Sequence, residues 1–80
     1  MKREDILTQV KLFIGNGKMT YEGVRLEENT NIRYDLALDS IEILELAIDL
    51  ERFYGIEIDE VELMDCETIG NVVDHVMSKL

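Results

Sequence analysis

Between Asp39 and Gly55 runs a segment whose apolar residues recur at the 3.6-residue period of an α-helix. Asp39 and Glu42 have the Asp-x-x-Glu spacing of a capping box and Gly55 supplies a stop, so the sequence predicts a helix from about Ser40 to Tyr54. This segment constrains the fold most because it is apolar on two sides. Ile43, Leu46, Ala47, Leu50 and one of Phe53 or Tyr54 form a face that can fill a core. Ile41, Leu44 and Ile48, flanked by Glu42, Glu45 and Asp49, form a second stripe rising from Ser40. A bundle helix with one buried face would carry polar residues there. The second stripe therefore reads as a partner surface, with some of it packed under the neighbouring loop.

Three further segments are helical in period. In the first, Ile6, Val10, Phe13 and Ile14 share a face with Leu7 beside them, until Gly15-Asn16-Gly17 stops the helix. A short one follows Asp59, where Asp59 and Glu62 again have capping-box spacing and Val61, Leu63 and Met64 supply apolar surface. The last starts after Thr68 and places Ile69, Val72, Val73, Val76, Met77 and Leu80 on one stripe. Residues 16–39 lack strong periodicity. Val24 and Leu26, then Ile32, Tyr34, Leu36 and Leu38, alternate as strands do, but a lone hairpin is marginal and no other strands exist to complete a sheet. A long loop pinned to the helices by those side chains is the expectation, and loops of that length are often functional. The fold class is all-α: a four-helix bundle of three main helices and one short one, with a long loop between helices one and two. Residues 1–80 form one domain, near the size at which a single core is only marginally stabilising.

Charge narrows the partners. Eighteen acids against eight bases give a net charge of −10, and from Asp35 to Glu67 twelve carboxylates face one base, Arg52. Nucleic acid and anionic membranes are excluded as partners, whereas basic patches on other proteins are favoured. Cys66 is the single cysteine, so no intramolecular disulfide forms, and a reducing compartment fits best. His75 is the single histidine, so no zinc site is expected. The two are read as a small semi-buried apolar group and a surface residue. No window carries the acidic spacing of a calcium-binding loop. The N-terminal MKREDILTQV has no apolar stretch for a signal peptide or membrane span, which predicts a cytoplasmic protein.

Ser40 remains to be explained. Capping accounts for Asp39 and Glu42 and leaves the serine merely tolerated at the first helical position. As a nucleophile Ser40 lacks a nearby general base and the Gly-x-Ser-x-Gly elbow, so no catalytic residue is assigned. As a site of modification it is well placed, because a helix N-terminus presents unpaired amide groups and the positive end of the dipole to an added phosphate.

Leu38-Asp39-Ser40-Ile41-Glu42-Ile43-Leu44-Glu45-Leu46 resembles the signature of the acyl carrier proteins, Asp-Ser-Leu opening the second helix with an acidic and apolar pattern after it. The likeness continues through Leu50 to Ile58 and from Glu67 to Val73, covering residues 36–78 well and the first helix and loop in outline. It implies a non-catalytic carrier: a phosphopantetheinyl transferase, using coenzyme A and Mg²⁺, attaches 4′-phosphopantetheine to Ser40, and the arm's thiol holds an acyl group as a thioester. It also implies that partner enzymes with basic patches dock on the second helix, at Asp39, Ile41, Glu42, Leu44, Glu45 and Ile48, and that the carrier is monomeric. Leu36-Ala37-Leu38 stands where many fatty-acid carriers have Gly-Ala or Gly-Gly before Asp-Ser, and Met19 to Val24 departs from the usual continuation after the first helix. Fatty-acid synthesis and a specialised polyketide or nonribosomal peptide pathway both stay open. So do an aminoacyl or peptidyl carrier and, in a different class, an unmodified acidic adaptor in which Asp39-Ser40 is only a cap.

Overall fold

The computed structural model describes residues 2–16 and 26–80, leaving Gly17, Val24 and the segment Met19 to Val24 outside the described part. Four helices follow in order: α1 (Arg3–Asn16), α2 (Ser40–Tyr54), α3 (Glu60–Met64) and α4 (Ile69–Lys79). No strand occurs among the described residues; a single antiparallel bridge pairs Asn31 with Thr68. The all-α expectation holds. α1 packs on α4 and α2, and α3 packs on α2.

The buried residues follow the helical period. Ile6, Val10 and Ile14 of α1, Ile43, Leu46, Ala47 and Leu50 of α2, Leu63 of α3, and Ile69, Val72, Val73 and Val76 of α4 share one core with Ile32, Leu36, Leu38, Ile58 and Cys66. Each fully buried aliphatic chain contributes roughly 1.5–3 kcal/mol, less the entropy of ordering it. Leu7, Phe13, Leu26 and Tyr54 pack against that core half-buried, so Tyr54 rather than Phe53 completes the inner face of α2. Two expected core positions lie outside it: Met77 and Leu80, in the last turn and at the C-cap of α4, are exposed. Val61 of α3 is also exposed.

The helix ends are closed largely by their own side chains. Asp39 Oδ1 accepts from the Glu42 amide at 2.8 Å while Glu42 Oε1 accepts from the Asp39 amide at 3.0 Å, the reciprocal box the spacing predicts. At the other end Gly55 adopts φ 65°, a left-handed conformation that costs glycine nothing, and donates to Glu51 O at 2.8 Å. Asp59 caps α3 through the Val61 and Glu62 amides, but the expected box does not close: the Glu62 carboxylate sits 3.6 Å from His75 Nδ1 of α4 instead. His75 is thus no surface residue, its side chain being only 11% exposed. Thr68 and Asn71 make a second reciprocal box at the start of α4.

The described part of the loop before α2 is tied to the start of α4. Glu28 O and Thr30 O accept from the Gly70 and Ile69 amides at 2.8 and 3.1 Å, and Glu67 O accepts from Ile32 at 2.9 Å. Arg3, at the unfavourable positive end of the α1 dipole, is held there by Glu28 and Asp74 and also reaches Gly70 O. Those two carboxylates raise its pKa. Of the apolar residues expected to pin the loop, Ile32, Leu36 and Leu38 are buried and Leu26 is half-buried. Tyr34 is not, standing 89% exposed.

Candidate functional site

Every residue of the motif keeps the helical register that the sequence predicts. Leu38 is buried and anchors the chain, Asp39 is the N-cap, and Ser40 is the first residue of α2, exposed. Leu38 is fixed by its amide, which donates to Ile32 O at 2.9 Å. Because Asp39 and Glu42 form the cap, the Ser40 hydroxyl has no structural duty: no hydrogen bond among the described residues engages it. Two amides of the first turn are committed, Glu42 to Asp39 Oδ1 and Ile43 to Asp39 O. Those of Ser40 and Ile41 precede them and carry the positive end of the helix dipole.

Around this serine the second stripe lies where the spacing predicts. Ile41 is 65% exposed, Ile48 is 37% exposed and Leu44 is half-buried. Glu45 and Asp49 are exposed beside them, whereas Glu42 is half-buried because its carboxylate folds back onto the cap. Of the acidic candidates, Glu45 is therefore the one whose charge faces outward without a structural task. A cavity of about 40 Å³ opens between α1 and α2, with Phe13, Ile14, Leu38 and Leu46 on its apolar side and Glu42, Glu45 and Asp49 at its rim.

One feature of the approach to Ser40 carries no sequence signal. Ala37 has φ 54°, the left-handed region that costs a residue with a Cβ about 1–2 kcal/mol. Strain there turns the chain so that Leu36 and Leu38 both enter the core while Ala37 itself is exposed. Cys66, by contrast, is removed from the site's chemistry. Burial first and then the neighbouring Asp65 raise its pKa, Arg33 opposing weakly, so it stays a thiol at neutral pH. His75 is likewise committed, packed between α3 and α4 against Glu62, and offers no base to Ser40.

Comparison with known proteins agrees with the geometry. The family described as "Phosphopantetheine attachment site" matches residues 18–76. The acyl carrier protein of Thermotoga maritima is 30% identical over 78 residues, covering 98% of this chain and 95% of its own. That of Lactobacillus acidophilus is 32% identical over 78 residues, with 98% and 96% covered, and that of Coprothermobacter proteolyticus is 30% identical over 80, with 100% and 96% covered. The chain belongs to the acyl carrier protein family. It is a carrier of acyl groups on covalently attached 4′-phosphopantetheine and not a catalyst, which overturns the unmodified-adaptor reading. As an acyl carrier protein it works with a phosphopantetheinyl transferase and with synthase enzymes. The residues at the start of α2 fit such an arm: an exposed hydroxyl free of structural duty beside two first-turn amides suits a tethered phosphodiester. No described helix is long and apolar enough to cross a membrane.

Proposed function

We propose that Ser40 is the attachment point of the arm and that α2 beyond it is the docking face for basic patches on partner enzymes. The observation that carries this reading is the division of labour at the cap: Asp39 and Glu42 hold the helix end, and the serine between them is exposed and idle. During attachment the Ser40 Oγ would form a bond to the pantetheine-bearing phosphorus as the pyrophosphate bond of coenzyme A breaks, adenosine 3′,5′-bisphosphate leaving and the hydroxyl proton passing to a base on the transferase, which also supplies Mg²⁺. The bound arm supplies a thiol that holds the acyl group as a thioester. Ser40 fixes the arm's root, and the dipole of α2 offsets repulsion between the phosphodiester and the carboxylates around it. Tethering raises the effective concentration of the cargo at each partner's active site.

Ile41, Leu44 and Ile48 provide the apolar contact, and Asp39, Glu42 and Glu45 the negative frame. The cavity of about 40 Å³ is smaller than the roughly 150 Å³ that holds a benzene ring, so a long acyl chain enters the bundle only if α1 and α2 part. The cargo is an acyl group of fatty-acid or polyketide type, carried by a monomer of one domain, residues 1–80, in the cytoplasm.

The direct test incubates the protein with coenzyme A, Mg²⁺ and a broad-specificity phosphopantetheinyl transferase. Intact mass rises by one phosphopantetheine for the wild type and not at all for Ser40→Ala. An unchanged wild-type mass overturns the carrier reading, and a modified Ser40→Ala moves the site elsewhere. Docking is tested by Glu45→Lys, which lowers the modification rate several-fold at low salt, with the deficit shrinking as salt is added. Equal rates at low salt contradict the docking role. Glu42→Lys is the poorer test, because it also removes half of the capping box.

A further inference from the structure

We infer that this carrier presents its cargo outside the helices, with Leu38 and Phe13 as the side chains that keep it out, so that the acyl group it serves is short or polar. The inference rests on the assignment of Ser40 and names the substrate class of that site. An acyl chain on an arm from Ser40 has two places to go, the apolar interior or the solvent. Exposed hydrocarbon is unfavourable in proportion to its area, so a long saturated chain suits a carrier only if the interior admits it.

The cavity between α1 and α2 is poorly placed to do so. At 3.6 residues per turn, its α2 wall of Glu42, Glu45, Leu46 and Asp49 stands about 120–180° around the helix from Ser40. A chain from Ser40 reaches it only by crossing α2 and passing three carboxylates whose hydration a hydrocarbon would disturb. Inside, about 40 Å³ is open, against roughly 150 Å³ for a dry cavity that binds benzene. Leu38 and Phe13 line it. Leu38 is 8% exposed and occupies the position before Asp39 where many fatty-acid carriers have alanine or glycine. Its amide donates to Ile32 O, and the Ile32 amide donates in turn to Glu67 O, so the side chain is held in place from behind.

Enlarging the cavity requires helices to part, and the seams between them are fastened. Phe13 of α1 meets Phe53 of α2 edge-on with ring centroids 5.7 Å apart, and Phe53 meets Tyr54 the same way at 4.9 Å. Toward its other end α1 is held to α4 by Arg3, which donates to Asp74 Oδ1 at 3.0 Å. The side of α2 nearer Ser40 is closed as well. Ile43, Ala47 and Leu50, within about 20–80° of Ser40 around the helix, are buried in one core with Ile58 and Leu63. Glu51 Oε2 accepts from the Ile58 amide at 2.9 Å, tying α2 to the chain that leads into α3, and the Glu62–His75 contact joins α3 to α4. Interiors packed this way resist a guest, which must displace side chains that already fill the space.

The test loads the full chain with acetyl-, butyryl- and octanoyl-phosphopantetheine from the matching coenzyme A thioesters, using a broad-specificity transferase. Cleavage of each thioester by hydroxylamine is measured relative to the same free coenzyme A thioester, together with thermal melting. In the wild type the octanoyl and acetyl forms give relative rates within about twofold of each other and Tm values within about 2 °C, because a chain in solvent neither hides the thioester nor stabilises the native state. Phe13→Ala and Leu38→Ala enlarge the cavity, and each then slows octanoyl cleavage at least about fivefold and raises Tm relative to its own acetyl form. The wild-type comparison decides the matter whether or not the variants fold. Octanoyl protection of about fivefold or more in the wild type overturns this inference and leaves the Ser40 assignment standing. Folded variants that gain no protection overturn the role of the two side chains. A wild type that gains no mass overturns both the inference and the Ser40 assignment.

Discussion

The helices α2 and α4 begin in the same way and end up with opposite fates. Each opens with a reciprocal capping box, Asp39 with Glu42 and Thr68 with Asn71. At α4 the loop closes over the first turn: Thr30 O and Glu28 O take the Ile69 and Gly70 amides, Ile69 is wholly buried, and Arg3 fastens the strap from α1. A Cβ on Gly70 would come within 3.1 Å of Glu28 O, so little room is left between strap and helix. At α2 the loop passes beneath the terminus instead, burying Leu36 and Leu38 and leaving Asp39, Ser40 and Ile41 exposed. A helix N-terminus is a good place for an anionic group only if nothing already covers it. The chain covers one and leaves the other open.

Four substitutions probe that contrast in three experiments, from the largest effect to the smallest. Ile69→Ala, at the first position of the covered terminus, costs about 2–5 kcal/mol, whereas Ile41→Ala, one residue past the open one, changes stability by less than about 0.5 kcal/mol. For a domain of this size the first corresponds to a fall in Tm of at least about 8 °C. Similar melts for the two variants would erase the distinction between the termini. Asp39→Ala removes the cap that frees Ser40 from structural work and destabilises by about 0.5–2 kcal/mol, with faster amide exchange at Glu42. An unchanged exchange rate would mean that Asp39 does not hold the end of α2. Ala37→Gly relieves the left-handed strain of the approach and stabilises by about 0.5–1 kcal/mol, the relief being partly offset by the extra freedom of glycine in the unfolded chain. A denaturant midpoint that does not rise would show that the approach to Ser40 carries no net strain.

The sequence determined what depends on neighbours three or four residues apart. Ser40–Tyr54 was bounded correctly by Asp39, Glu42 and Gly55, and its inner and outer stripes were separable, because caps and helical period are local properties written in residue type. The Asp-Ser motif likewise marked the family, and the family determined the cofactor. Local spacing failed where two partners compete for one group: Glu62 satisfies capping-box spacing with Asp59 but turns to His75. It also failed at Ala37, whose methyl group gives no sign of a left-handed backbone, and at Tyr34, whose place in an alternating run suggested burial. Only the tertiary structure decided which helix end stays open. That choice rests on hydrogen bonds between residues about forty positions apart, Glu28 and Thr30 with Gly70 and Ile69, and no short-range pattern encodes such pairing. The same long-range strap that closes α4 carries the loop beneath α2 and leaves Ser40 in solvent.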